Sequence, residues 1–123
     1  MQIKNFDGWN IVKKEINRLK CVKIRAGEVW FCRLGVNVGF ETDGKEEFIR
    51  PAIVIKSYGI SGAIVCPLTS KIKNTAFHFK IDDFNYVKLT QIRFVDSKRF
   101  VRMVRVIDGA MLEKIKNSII NIL

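Results

Sequence analysis

The sequence predicts an α+β domain in which a strongly bent antiparallel sheet of about six short strands carries a helix at each end. Short runs of apolar residues, several alternating with polar ones, recur through the middle of the chain and are separated by turns rich in Gly, Asp and Asn. Apolar residues at helical spacing are confined to the two ends. No helical pattern falls between successive strands, and the short turn Ile60-Ser61-Gly62-Ala63 between two of them implies an antiparallel hairpin.

The first element is an amphipathic helix from Phe6 to Leu19, with Phe6, Trp9, Val12, Ile16 and Leu19 on one stripe and Lys13, Lys14, Glu15 and Arg18 on other faces. Asp7 suits its N-cap, Gly8 weakens its first turn, and Trp9 reads as a core anchor rather than a stacking platform. Strands are expected at Glu28 to Leu34, Ala52 to Ser57, Ala63 to Leu68, Thr75 to Ile81, Tyr86 to Leu89 and Phe100 to Ile107. Asp108 then caps a terminal helix whose apolar stripe is Met111, Leu112, Ile115, Ile119, Ile120 and Leu123.

A chain of 123 residues makes one domain and buries about two-thirds of its unfolded surface, enough for a sizeable core. No apolar run approaches the ~20 residues of a membrane span. Lys4, Asp7, Lys13, Lys14 and Glu15 interrupt the N-terminus before a signal peptide can form, so a soluble cytoplasmic protein without a membrane partner is expected. Lys and Arg number 22 against 12 Asp and Glu, and the net charge of +10 suits a polyanionic partner. Charge alone does not choose among nucleic acid, anionic membrane and acidic protein, and in many small basic proteins it serves only solubility. The basic residues are spread along the chain, so any patch must be made by folding.

Cysteines at 21, 32 and 66 lack metal-ligand spacing, and Cys32 and Cys66 lie in apolar runs that mark them as core thiols. The single histidine, His78, alternates with Phe77 and Phe79 and reads as a strand residue on the polar face. No serine–histidine–carboxylate or cysteine–histidine arrangement is visible.

The stretch from Gly35 to Ile55, GVNVGFETDGKEEFIRPAIVI, holds a loop rich in glycine and charge between two apolar strands. Glycines at 35, 39 and 44 open backbone angles closed to other residues, and the loop can close over a ligand. Pro51 suits the first position of the following strand and presses Arg50 towards an extended conformation, at the junction of loop and sheet.

Gly39-Phe40-Glu41, Gly44 and Arg50-Pro51 before an apolar strand resemble the opening motif of the MazF/PemK family of toxin ribonucleases. Val65-Cys66-Pro67-Leu68-Thr69-Ser70 resembles that family's second motif, a strand ending in threonine, and Leu89-Thr90-Gln91-Ile92-Arg93-Phe94-Val95-Asp96 resembles its third. The motifs stand in the family's order and the resemblance spans roughly residues 25 to 122. It implies a small Src-homology-3-like β-barrel of the CcdB/PemK type, with a C-terminal helix packed on it and residues 1–24 as a helical extension before the 25–123 domain.

The resemblance also implies the activity: a sequence-specific endoribonuclease toxin that cuts single-stranded RNA, forms a homodimer, and is neutralised by an acidic antitoxin in a complex that binds DNA. Arg50 and Thr69 match residues treated as catalytic, and Glu41 matches the family's glutamate. Arg50 can present a planar fork to two phosphate oxygens. Thr69 can donate to a developing phosphorane oxygen, although a threonine before Ser-Lys also suits a turn or cap. Glu41 is the candidate proton acceptor or, equally, the residue that orients Arg50. Phe40, Lys45, Ser70, Lys71, Gln91 and Arg93 are candidate RNA contacts, with Lys73 a further candidate for a flanking phosphate.

One histidine, dispersed cysteines and no acidic cluster outside the central loop make no cage for paired metals, so no metal or other cofactor is expected. RNA then supplies the nucleophile through its own 2′-hydroxyl. Phe40 stands where the family usually has serine, and the stretch Asp43 to Ile49 is longer than usual, so the cleavage sequence does not transfer from relatives. Two rivals share the fold or the charge: a CcdB-like gyrase poison, which needs a tryptophan-containing C-terminal motif where this chain ends Ile-Ile-Asn-Ile-Leu, and a non-catalytic RNA-binding barrel.

Overall fold

Nine residues from Ile49 to Ser57 form the central strand of the sheet, and four of them, Ala52 to Ile55, are buried in succession. An unbroken apolar run of this kind is stable in a strand only when both faces are covered. The computed structural model describes residues 7–9, 22–35, 49–71 and 75–123. In chain order the elements are β1 (Glu28–Arg33), β2 (Ile49–Ser57), β3 (Gly62–Thr69), β4 (His78–Asp82), β5 (Asn85–Lys88), β6 (Arg93–Asp96), β7 (Phe100–Val106) and a terminal helix, α1 (Gly109–Ile122). The seven strands make one sheet, in the order β4-β5-β3-β2-β1-β7, with β6 also paired to β3. Every pairing is antiparallel.

The two faces of the sheet bury separate cores. On one face, Leu112, Ile115 and Ile119 of α1 pack on Val29, Ile53, Ile55, Cys66, Leu68, Val87 and Leu89. On the other, Ala52, Val54, Ala63 and Val65 meet Ile24, Cys32, Leu34, Val95 and Phe100. Each larger apolar side chain so buried contributes about 1.5–3 kcal/mol relative to exposure. Asp108 caps α1 as expected, its Oδ1 accepting from the Met111 N–H at 2.8 Å.

The strand order leaves β4 and β7 as edges, so among the described residues the hydrogen-bonded ring is open rather than closed. The sheet coils far enough, however, for these edges to meet: Arg105 Nη1 of β7 lies 2.7 Å from Asp82 Oδ2 of β4. Both partners are partly exposed, and such a pair contributes at most about 1 kcal/mol. The architecture is the expected bent antiparallel sheet with a packed C-terminal helix, barrel-like in its coiling.

Several boundaries differ from the sequence reading. β2 begins at Ile49, so Pro51 is its third residue rather than its first. Thr75 to Phe77 precede β4 as a turn, in which Thr75 Oγ1 accepts from the Phe77 N–H at 3.2 Å and hydrogen-bonds His78 Nδ1 at 2.8 Å. β6, four residues long, was not anticipated and is created by pairing with Gly62–Val65. Asp7 is itself helical together with Gly8 and Trp9, and the rest of the expected Phe6–Leu19 helix lies outside the described residues, as does Cys21. Trp9 is a core residue, 6% exposed. Among the described residues no helix is long and apolar enough to cross a membrane.

Candidate functional site

The two prolines of the first two motifs determine how the site is held. In a strand, backbone groups point alternately to the two neighbours. The Val54 carbonyl accepts from the Gly27 N–H at 2.8 Å, on the β1 side, so residue 51 presents its backbone to β3. Ala52 pairs with Pro67, which sets Pro51 opposite Leu68. Proline has no N–H to give, and the Leu68 carbonyl would lose its ladder donor. Arg50 fills that place: its Nη1 donates to the Leu68 carbonyl oxygen at 3.2 Å. Pro67 solves the opposite problem. The outer edge of β3 pairs with β6 up to Val65 and with β5 from Leu68, so Pro67 falls in the gap between partners, where no donor is required.

The same register continued by two residues places Arg50 opposite Thr69, on one face of the sheet. Thr69 is 5% exposed, ends β3, and accepts the Lys71 N–H on its Oγ1 at 3.2 Å. The bland reading of Thr69 as a turn residue is therefore correct, yet acceptance uses only a lone pair and leaves the hydroxyl proton for donation. On the flanks, Cys32 lies opposite Arg50 in β1 and Tyr86 lies opposite Thr69 in β5. Arg50 is thus held between a buried thiol and a buried hydroxyl at the start of the central strand.

Ser70 and Lys71 follow Thr69 and are exposed. Gln91 ends the short helical turn Leu89–Gln91, which is pinned by Leu89 in the core and by the Leu89 N–H on the Phe77 carbonyl. Arg93 lies on β6 opposite Val65, four residues along β3 from Thr69, a displacement of roughly 13 Å along the strand. Phe40, Glu41, Lys45 and Lys73 lie outside the described residues. His78 is a half-buried strand residue on Thr75, as expected. Cys32 and Cys66 are fully buried free thiols; burial pushes Cys66 up to about 12, and it raises Cys32 further against the lowering influence of Arg93.

Arg99 was not singled out from the sequence. Its Cζ lies 5.3 Å from the ring centroid of Trp9, and desolvation first, then the neighbouring charge of Arg93, lowers its pKa while Asp96 opposes the shift. Ser97-Lys98-Arg99 reads as a solvated turn, and the linear sequence carries no signal that the last of these meets an indole from the N-terminus.

Arg-Pro at the start of one strand and Pro-Leu-Thr at the end of its neighbour, brought side by side, can hold a phosphate between a fixed guanidinium and a hydroxyl. A family model described as "PemK-like, MazF-like toxin of type II toxin-antitoxin system" matches residues 25–123. The chain belongs to that family. Among solved structures, MazF (Form-I) from Deinococcus radiodurans is similar with a TM-score of 0.66 and 18% identity, over 82% of this chain and 96% of that one. An endoribonuclease in complex with its cognate antitoxin from a mycobacterial species gives a TM-score of 0.60 and 12% identity, over 80% and 92% of the two chains. A MazE–MazF complex (Form-III) from Deinococcus radiodurans gives 0.62 and 17%, over 82% and 96%. At these identities the likeness is one of fold. No curated protein matches the chain. The PemK/MazF-like match begins at residue 25, so Trp9 stands outside it.

Proposed function

We propose that this PemK/MazF-like chain is an endoribonuclease toxin that cleaves single-stranded RNA with no metal in the chemical step. The observation that carries the reading is the juxtaposition of Arg50 and Thr69 on adjoining strands, with Arg50 oriented by the Leu68 carbonyl. It is supported by the names of the neighbours, which include an endoribonuclease with its antitoxin.

In the proposed reaction the 2′-hydroxyl oxygen bonds to the adjacent phosphorus as the bond from phosphorus to the 5′-oxygen breaks. The products are a 2′,3′-cyclic phosphate and a 5′-hydroxyl. Glu41 takes the proton of the 2′-hydroxyl, or orients Arg50 for the same step. Arg50, always protonated, stabilises the extra negative charge and assists the leaving oxygen, while Thr69 donates to a phosphorane oxygen. Ser70, Lys71, Gln91 and Arg93 hold flanking nucleotides, Phe40 stacks on an unpaired base and Lys45 pairs with phosphate.

Residues 1–24 form an extension preceding the catalytic domain, and the protein works in the cytoplasm as a homodimer. The dimer is supported by β7, an edge strand that exposes Val101, Met103, Val104 and Val106. A cognate antitoxin with an acidic, disorder-prone segment neutralises the enzyme by folding across the basic face near Arg50 and excluding RNA by occupation and charge.

The test is an oligoribonucleotide with a single 2′-deoxy substitution at the cut site, assayed in excess chelator beside its all-RNA counterpart. The all-RNA substrate is cut and the substituted one is not. Undiminished cleavage of the substituted strand, or complete dependence on added magnesium, overturns the mechanism.

A further inference from the structure

Alternation in three neighbouring strands sends three polar side chains to one face of the sheet. In β2, Ile53 enters the core under α1, so Ala52 and Arg50 point the other way; in β3, Leu68 enters that core and Thr69 does not; in β5, Val87 enters it and Tyr86 does not. Register then lines the three up. Thr69 stands directly opposite Tyr86, and the β2–β3 pairing continued by two residues sets it opposite Arg50 on its other side. Neighbouring strands lie about 4.8 Å apart, so Arg50, Thr69 and Tyr86 form a row roughly 10 Å long across the sheet, with the threonine at its centre.

Tyr86 is 7% exposed yet belongs to neither of the two apolar cores. A buried tyrosine ordinarily finds a hydrogen-bond partner for its hydroxyl. Among the described residues the Tyr86 hydroxyl makes no hydrogen bond, and the one enclosed side-chain nitrogen or oxygen without a partner is Arg33 Nε, so the phenolic oxygen opens to solvent. The ring is held by the fold and its donor is presented beside Thr69. Phosphate is the chemistry such a row suits: Arg50 brings a fixed positive charge, and the two hydroxyls can each donate to an oxygen without adding charge of their own.

We propose that Tyr86 is a further catalytic residue, its hydroxyl donating to a non-bridging oxygen of the phosphate that Arg50 and Thr69 hold. The inference rests on the proposed reading as an RNA-cleaving enzyme and adds to it a third donor, on the side of Thr69 away from Arg50. The phenol keeps its proton throughout and stabilises the charge that develops on that oxygen as the 2′-oxygen bonds to phosphorus. Tyr86 lies before the block Leu89 to Asp96 and reads in the sequence as an ordinary strand residue, so only the pairing of β5 with β3 brings it to the site.

The test is Tyr86→Phe in the full chain, which keeps the ring and removes only the hydroxyl. Single-turnover cleavage of RNA at saturating protein falls by about 10²–10³, the usual loss for one donor to a developing oxyanion, while the denaturant midpoint stays at the wild-type value because the lost hydroxyl bonds nothing in the fold. Binding of an uncleavable 2′-O-methyl oligoribonucleotide of mixed sequence, followed by fluorescence anisotropy across a salt series, weakens about tenfold. The slope of log affinity against log salt does not change, since a neutral donor displaces no counterion. Tyr86→Phe combined with Thr69→Ala costs less than the product of the two single losses, because both act on one phosphate. A folded Tyr86→Phe protein that cuts at the wild-type rate overturns the proposal and leaves the Arg50–Thr69 reading untouched. Losses that multiply in full overturn the shared phosphate, and a rate that falls only together with the denaturant midpoint marks the hydroxyl as structural and overturns its catalytic role. Wild-type protein that leaves RNA intact while Tyr86→Phe still weakens binding at an unchanged slope refutes the enzymatic reading and leaves Tyr86 standing as a phosphate contact.

Discussion

Arg50 donates through Nη1 to the Leu68 carbonyl oxygen at 3.2 Å, in the place where Pro51 has no N–H to offer. The Arg-Pro pair therefore acts as a unit: the proline vacates a position in the ladder and the arginine that precedes it is drawn into that position. The guanidinium is anchored through Nη1 at the junction of β2 and β3, and its planar fork of donors has the geometry that suits phosphate.

Arg50→Ala and Thr69→Ala are each expected to lower cleavage by about 10²–10³, the usual loss for one donor to a developing oxyanion, without unfolding the protein. Arg50→Lys keeps the charge but not the fork, and should recover only part of the rate. Thr69→Ser retains the hydroxyl and most of the activity. Single-turnover rates beside circular dichroism check these outcomes; near wild-type rates in both folded alanine variants mean that the site lies elsewhere.

Two glycines should differ in what their substitution does. At Gly62, with φ of +149°, an added Cβ would lie 2.3 Å from the Val95 carbonyl oxygen, a backbone atom that moves only if β6 moves. Gly62→Ala is expected to cost about 1–3 kcal/mol from backbone conformation alone, with the displacement of β6 added. Gly35→Ala instead meets the Trp9 ring, a side chain that can leave. Its cost should be partly relieved in Gly35→Ala with Trp9→Ala, as measured by denaturant midpoints of the single and double variants.

The stability of the β4–β7 contact should depend on acid. The N–H of Phe84 foremost, then the Asn85 amide and the Arg105 guanidinium, hold the Asp82 carboxyl below its ordinary value of 3.8, with burial opposing. A depressed folded-state pKa stabilises fully above the unfolded value and ceases to do so as pH falls through the folded one. The stability difference between wild type and Asp82→Asn should therefore be constant above about pH 5 and change as pH falls below the ordinary carboxylate range. Denaturant titrations between pH 2 and pH 6 measure it, and a pH-independent difference removes Asp82 as the source.

Light scattering at micromolar concentration should give the mass of two chains. Val104→Asp with Val106→Asp, on the exposed edge strand, should shift it towards one chain by placing like charges in the shared surface. A wild-type monomer under these conditions counts against the homodimer.

Much of this protein is legible in one dimension because it is local. Asp108 caps α1 from its own side chain, and the stripe Leu112, Ile115 and Ile119 follows from helical spacing alone. The unbroken apolar run of β2 required cover on both faces, and the order of the three motifs identified the family before any strand was paired. β6 was not legible, because Arg93-Phe94-Val95-Asp96 is too short to show an alternating pattern and becomes a strand only on meeting Gly62–Val65. Nor was the exposure of β7, since alternation indicates which residues share a face and burial depends on what covers it. The meeting of Arg50 with Leu68, and of Arg99 with Trp9, joins residues far apart in the chain. Sequence by itself determined which groups could do phosphate chemistry and which local elements carry them. Tertiary structure decided which of those groups meet, because strand register is a property of two segments at once and no single segment contains it.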